Sequence, residues 1–457
     1  MSSNGNLEAL APEVCHKLEH IQDEFTVTAD KLKGITNRFE EELREGLQAH
    51  DTNISMHITW VQGLPSGSET GQFLTLDLGG TNLRICWIKL NGRGKDTEVD
   101  QSSYKLPSDV KTSDAETLWN LVADSLGTFI EERQLHGDPH RPLPLGFCFS
   151  YPASQDRIDH GILKTWTKGF EIQGVEGEDV ASQLREAIAK KKLPVKLITL
   201  VNDTTGAMVA SAYNDPETIC GAIFGTGCNA AYVENFGSIP KLKHDMPPET
   251  SMAINCEYGA FDNDRRVLPL TKYDKRVDEE SPKPGEQAFE KMSAGLYLGE
   301  ILRLVLLDFY DEKLLFQGQD ASLLHESYRL DTAFLSALED EPLEDSIQRF
   351  KDVLRLTISP EEAALVRRLA EIIAIRSARL CCCGIAAICH MKGVTKGHVA
   401  ADGSVANKSP KFKGRWAKAL GEVLGWPDDG TENPIVITSA EDGSGIGAAV
   451  ITAMVMQ

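Results

Sequence analysis

The chain has 457 residues, 41% of them hydrophobic and 25% charged, and its 47 basic and 68 acidic side chains sum to a net charge of −21. That length exceeds what one core of roughly 250–300 residues fills, so two or more structural units are expected. The acidic balance excludes sequence-blind binding to nucleic acid or to an anionic membrane surface.

The first thirty residues carry charges throughout and contain no apolar signal-type stretch. The most apolar long segment, 372–391, is interrupted by Arg376 and Arg379, so no membrane-spanning helix is expected. The ten cysteines include no Cys-x-x-Cys pair, and Cys381, Cys382 and Cys383 are adjacent in a helical pattern. A cytoplasmic protein with reduced, buried thiols follows from that usage.

In chain order, residues 12–49 are amphipathic and charged and read as helix. A loop at 66–68 precedes an apolar run, 73–78, then a Gly-Gly-Thr turn and a second apolar run, 83–88. Asp77 stands before this turn and Arg84 after it. Residues 93–114 are polar and read as a loop, 115–133 as a helix, and 142–149 as a strand ending in the loop Ser150-Tyr151-Pro152-Ala153-Ser154.

The stretch Leu197 to Ala231 carries most of the chemistry. An apolar strand, 197–201, delivers Asn202-Asp203-Thr204 to its end, and a small-residue helix, 206–212, follows. A second apolar run, 222–224, enters the turn Gly225-Thr226-Gly227, with Asn229 just beyond. Taken singly, Asn-Asp-Thr before a helix is most often a cap, and a Gly-x-Gly turn is usually a hairpin. The matching turn at 79–81 changes the balance. Two glycine hairpins about one domain apart suggest an internally duplicated α/β architecture whose halves grip phosphates from both sides of a cleft.

Further on, residues 252–263 read as a short strand placing Glu257 ahead of a Tyr-Gly turn, and 271–287 reads as a loop. A helix begins at Phe289 with Glu290 in its first turn, where an acid also favours the helix dipole. The stretch 308–358 is charged and irregular with helical pieces. Ser359-Pro360-Glu361-Glu362 is a helix start. Two strands, near 398 and 435–439, each run into Asp-Gly-Ser, and the second leads into a helix from Ala448 to Val455. Gly443-x-Gly445-x-Gly447 has the wrong spacing for a dinucleotide fingerprint, and ten residues are too few to complete that fold. A Walker A motif and the protein-kinase set are absent.

The segments DLGGTNLR (77–84), TWTKGF (165–170), LVNDT (200–204), IFGTGCNA (223–230), INCEYGAFDN (254–263), FEKMSAGLYLGE (289–300), ADGS (401–404) and AEDGSGIGAAV (440–450) resemble the hexokinase/glucokinase family of ATP-dependent sugar kinases. The resemblance spans nearly the whole chain in order, and its size is similar to the single-unit fungal type. It implies an α/β, two-domain, actin-like (ribonuclease H-like) ATPase fold with a deep interdomain cleft. The small domain would comprise 72–201 plus 445–457 and the large one 1–63 plus 206–440, with hinges near 64–71, 202–205 and 441–444.

The implied reaction is ATP-dependent phosphorylation of glucose, and of hexoses such as fructose and mannose, at the 6-hydroxyl. Asp203 would be the base, with Lys168 beside the transferring phosphoryl group. Ser150, Ser154, Thr167, Lys168, Asn202, Asp203, Asn229, Glu257 and Glu290 would hold the sugar. Asp77, Gly79, Gly80, Thr81, Asn82, Arg84, Gly225, Thr226, Ser359, Ser404, Gly443, Ser444, Gly445, Gly447 and Ala448 would serve ATP, and Asp77 would hold Mg²⁺ through water. Hexose and Mg-ATP are the implied partners of a monomer or homodimer. The alternative is a catalytically weak, hexokinase-like glucose sensor.

Overall fold

Each glycine hairpin lies inside a sheet of its own. The structure, a computed structural model, describes residues 10–80, 82–166, 170–409, 411–427, 432–440 and 442–457. In the second sheet the two-residue β1 (His57–Ile58) forms an edge. The first sheet is built on the hairpin of β2 (Thr70–Leu78) and β3 (Asn82–Asn91), which β4 (Glu98–Lys105) continues antiparallel. On the other side β5 (Leu143–Phe149) runs parallel to β2, and β8 (Val195–Val201) parallel to β5. A short ribbon, β6 (Ala153–Ser154) with β7 (Ile162–Leu163), stands apart.

The second sheet repeats the plan. β9 (Thr218–Phe224) and β10 (Cys228–Asn235) form the hairpin, and β11 (Ser251–Asn255) extends it antiparallel toward β1. β12 (Gly397–Asp402) and β13 (Ile435–Ser439) add in parallel beside β9. The strand orders are β4-β3-β2-β5-β8 and β1-β11-β10-β9-β12-β13. Apart from β1, both are three antiparallel strands followed by two parallel ones. The duplication read from the paired hairpins is thus a property of the fold.

The sheets have separate cores. Leu74, Leu76, Leu145 and Phe147 pack with Trp119 and Phe129 in the first. Phe39, Tyr258, Phe261 and Phe289 stack together in the second, against the long helix Pro360–Lys392. That helix is long and apolar enough to cross a membrane by composition alone, but most of its apolar stretch is buried inside the protein. Its Arg376 is tolerated there because Asp274 accepts from both terminal guanidinium nitrogens at 2.7 Å and Phe25 lies beneath the charge.

Three local expectations are corrected. Residues 93–114 contain β4, an exposed edge strand whose polar sequence hides its pairing. Residues 271–287 contain the helix Lys272–Glu280, started by a Thr271/Asp274 capping box and retained by the Arg376 pair. The first helical stretch is two helices, Pro12–Phe25 and Ala29–Gln48, the second capped by Thr28.

A third apolar cluster joins the halves. The helix Asp203–Asn214 lies on β9 and β10 of the second sheet, and the helix Gly443–Met456 lies on β2, β5 and β8 of the first. They cross at glycines. A methyl on Gly443 would stand 2.7 Å from the Cα of Ala207, and one on Gly447 would fall on the carbonyl of Gly206. Gly447→Ala is therefore expected to lower unfolding stability by about 1–3 kcal/mol through overpacking, measured by urea denaturation.

Candidate active site

Strand β8 ends at the helix start that carries Asp203. Asn202 caps this helix, its Oδ1 accepting from the Thr204 N–H at 2.9 Å. Asp203 occupies the first helical position, where the dipole favours a carboxylate. Its Oδ1 accepts from the N–H of Thr204 at 2.8 Å and from the Thr204 hydroxyl at 3.3 Å.

Thr204 links Asp203 to a polar cluster on the second sheet. Asn229, on β10 and 8% exposed, donates to Thr204 Oγ1 at 3.0 Å, to Asn255 Oδ1 at 2.7 Å and to Glu257 Oε1 at 3.0 Å. Asn255 donates to the same Glu257 oxygen at 2.8 Å. Glu257 is a left-handed residue (φ 55°, ψ 50°), a conformation uncommon for non-glycine side chains and concentrated at functional sites. Glu290 stands beside Gly259 and accepts from the Cys228 N–H at 3.1 Å. The sequence-derived residues Asn202, Asp203, Asn229, Glu257 and Glu290 thus form one surface of amides and carboxylates. Ser150 follows β5, and Ser154 lies in β6.

Opposite stands the β2–β3 turn. Asp77 pairs across the hairpin with Arg84. Asp77 Oδ2 accepts from Ser444 Oγ at 2.7 Å and from Arg84 at 3.3 Å, and Arg84 also reaches Asp442 at 2.5 Å. Burial holds the Asp77 carboxyl above its usual range; Ser444 and Arg84 oppose that rise, while the charge of Asp203 adds to it. Asp77 and Asp203 are therefore close enough for their charges to repel. Burial, with the same two carboxylates contributing, also raises the pKa of Tyr151.

Gly79 closes the turn by donating to Asn82 O, and its own carbonyl accepts from Tyr151. Lys111 binds the carbonyl of Gly80 at 2.6 Å. On the second hairpin, Gly225 lies against Gly403 and the N–H of Ser404, and the Thr226 carbonyl accepts from Leu296.

Several expected nucleotide residues have other work here. The Ser359 hydroxyl caps the Pro360–Lys392 helix, and no described contact joins it to the cleft. Gly447 and Ala448 are buried, Gly447 at the helix crossing and Ala448 against Gly146. Thr81, Thr167 and Lys168 lie outside the described residues. Sequence reasoning missed Asn255, Thr204, Tyr151 and Asp442. Asn255 stands two positions before Glu257 near a strand end, and Thr204 and Asp442 lie inside segments already singled out, but none was given a role.

Residues 17–213 and 219–454 match the two family models described as hexokinase. The hexokinase of Emericella nidulans is 49% identical across 100% of this chain and 94% of its own length. Hexokinase-1 of Saccharomyces cerevisiae is 48% identical across 98% and 94%. Among solved structures, hexokinase from Schistosoma mansoni complexed with glucose is 33% identical. It superposes with a TM-score of 0.86 over 99% of this chain and 100% of that one. Duplicated sheets, an inter-sheet carboxylate and these matches define a two-lobed sugar kinase of actin-like build. The chain belongs to the hexokinase family, and its whole-chain likeness to fungal members places it with their single-unit type.

Asn202 and Asn255 also line a recess of mixed polar and apolar character with His57, Thr59 and Tyr151. Burial, then Lys241 and Lys164, lower the His57 pKa from 6.5 to about 4. The unfolded chain therefore binds a proton that the folded one refuses. Stability is full above pH 6.5 and falls as the pH drops toward 4, by about 2 kcal/mol at pH 5. His57→Gln is expected to flatten this acid limb, so that its Tm falls less than that of the parent between pH 7 and pH 5.

Proposed function

We propose that this protein transfers the γ-phosphoryl group of ATP to the 6-hydroxyl of D-glucose, and of fructose and mannose, in the cytoplasm. The observation that carries this reading is the position of Asp203. Its carboxylate ends the polar network through Thr204, Asn229, Asn255 and Glu257 and is close enough to Asp77, which Ser444 holds, for the two charges to repel.

The amide and carboxylate surface suits a polyhydroxylated ligand, since each group can pair with a hydroxyl acting as donor or acceptor. A sugar lacking one hydroxyl would leave a buried group unpaired. Asp203 orients the 6-hydroxyl and accepts its proton. The sugar O6–phosphorus bond forms as the bond from phosphorus to the ADP oxygen breaks. Lys168 and Thr167 keep the roles expected from the resemblance, as does Thr81.

Gly80, Asn82, Gly225, Thr226, Ser404, Ser444 and Gly445 are assigned to the ATP side. The Asp77 donor set fits Mg²⁺: it offers a hard carboxylate oxygen, and Oδ1 is buried with no hydrogen-bond partner among the described residues. Magnesium, when bound, neutralises charge on the phosphate oxygens. Arg84, held by Asp77 and Asp442, positions that carboxylate.

Hinges at 64–71, 202–205 and 441–444 flank the glycine crossing and allow the lobes to close on sugar and exclude water. No observation favours the sensor alternative.

A coupled assay of glucose-dependent ADP release tests the reading; no turnover with any hexose sinks it. Asp203→Ala is expected to lower kcat roughly 10²–10⁴-fold with glucose affinity little changed. Glu257→Gln is expected to raise the KM for glucose at least tenfold more than that for ATP; equal effects on both remove its assignment.

A further inference from the structure

The helix that carries Asp203 is fastened at both ends, and its rear fastening has no part in the site described above. At that end the carbonyls of the last turn have no partner within the helix. Arg93, from the turn between β3 and β4, supplies donors. Its Nε donates to Tyr213 O at 2.9 Å and its Nη2 to Ala212 O at 3.1 Å. A cation there also suits the helix dipole. The Arg93 N–H binds Gly67 O at 2.6 Å, and its guanidinium covers Gly67 so closely that a methyl there would lie 2.6 Å from Cζ.

The same knot includes Tyr213, which is fully buried. Its hydroxyl donates to Glu69 O at 2.7 Å and accepts from the Gly92 N–H at 2.8 Å. Glu69, itself 2% exposed, folds the connecting segment by accepting from Ser66 and Gly67. Two residues beyond Tyr213, Asp215 meets His398 of β12 at 2.5 Å. The rear of the helix is therefore tied to the first sheet through Arg93 and to the second through Asp215.

We propose that Arg93 is a positioning residue for the reaction: by clamping the rear of the Asp203–Asn214 helix to the first lobe, it fixes where Asp203 points. This rests on the kinase reading. The lever is set by the glycine crossing at Gly206. With a 1.5 Å rise per residue, Asp203 lies about 4.5 Å along the axis from that pivot and Tyr213 about 10 Å on the other side. Any tilt that moves Asp203 moves the rear end about twice as far. A restraint at Arg93 therefore opposes small displacements of Asp203 with that mechanical advantage. The clamp also touches the 64–71 connection, so it holds the catalytic helix and the proposed hinge in one register.

The test uses the full chain with Arg93→Met, which preserves the stem and removes the donors, and Arg93→Lys, which retains one charged donor. At saturating glucose and ATP, Arg93→Met is expected to lower kcat five- to tenfold with the KM for ATP within twofold. Arg93→Lys should recover most of the loss. Amide hydrogen exchange at residues 203–206 should be faster in Arg93→Met than in the parent.

A lower Tm with unchanged kcat and unchanged exchange at 203–206 would show ordinary surface stabilisation and overturn the proposal. If the parent protein phosphorylates no hexose, the kinase reading fails. The exchange measurement then decides the clamp alone, faster exchange supporting it and equal exchange overturning it.

Discussion

Two helices that approach to backbone contact hold this molecule together. Gly206 on one and Gly443 and Gly447 on the other remove the side chains that would keep them apart. Each helix follows the last parallel strand of its sheet and lies on the sheet of the other half or between the two. The crossing therefore brings two strand ends together, with Asp203 at the start of one helix and Asp442 and Ser444 at the start of the other. The site exists where it does because the helices meet there.

The duplication explains how one architecture does two jobs. In both halves a strand, a glycine turn and a second strand precede the parallel pair. At the last but one position of the strand entering the turn, the first half places an acid, Asp77, and the second places Ile223. Likewise β8 leads into Asn202-Asp203, joined through Thr204 to the amides of β10 and β11 and to Glu257. β13 leads to Asp442, which binds Arg84 instead. Equivalent backbone positions carry different chemistry, which suits the proposed division into a sugar side and a phosphate side.

Electrostatics sharpen that division. With a net charge of −21, the protein as a whole repels a polyphosphate. Arg84 is already shared between Asp77 and Asp442. In the proposed kinase, attraction for the nucleotide would then fall to backbone N–H groups at turns and helix starts and to a metal ion, which act at short range. The charge of Asp203 adds to the raised proton affinity of Asp77, and a cation held there, as proposed, would relieve that repulsion.

Local pattern carried much of this. The hairpins, the Asn202 cap and the acid at 203 depend on residues close in sequence, and apolar period and turn chemistry suffice to read them. So does the Ser359 start of the long helix. Other features were silent for a physical reason. β4 is an exposed edge strand with no apolar alternation, and Lys272–Glu280 is polar on most faces. Asn255, Thr204 and Tyr151 are drawn into the site by partners 25 to 72 positions away. Gly447 reads like part of a phosphate loop, yet packing turns it toward Gly206. The sequence by itself determined the two repeated units and which acids and amides stand at strand ends, because those are local consequences of composition and spacing. Only the tertiary structure decided which of them share a surface, because side chains far apart in the chain meet only when close packing leaves the helices a single way to cross.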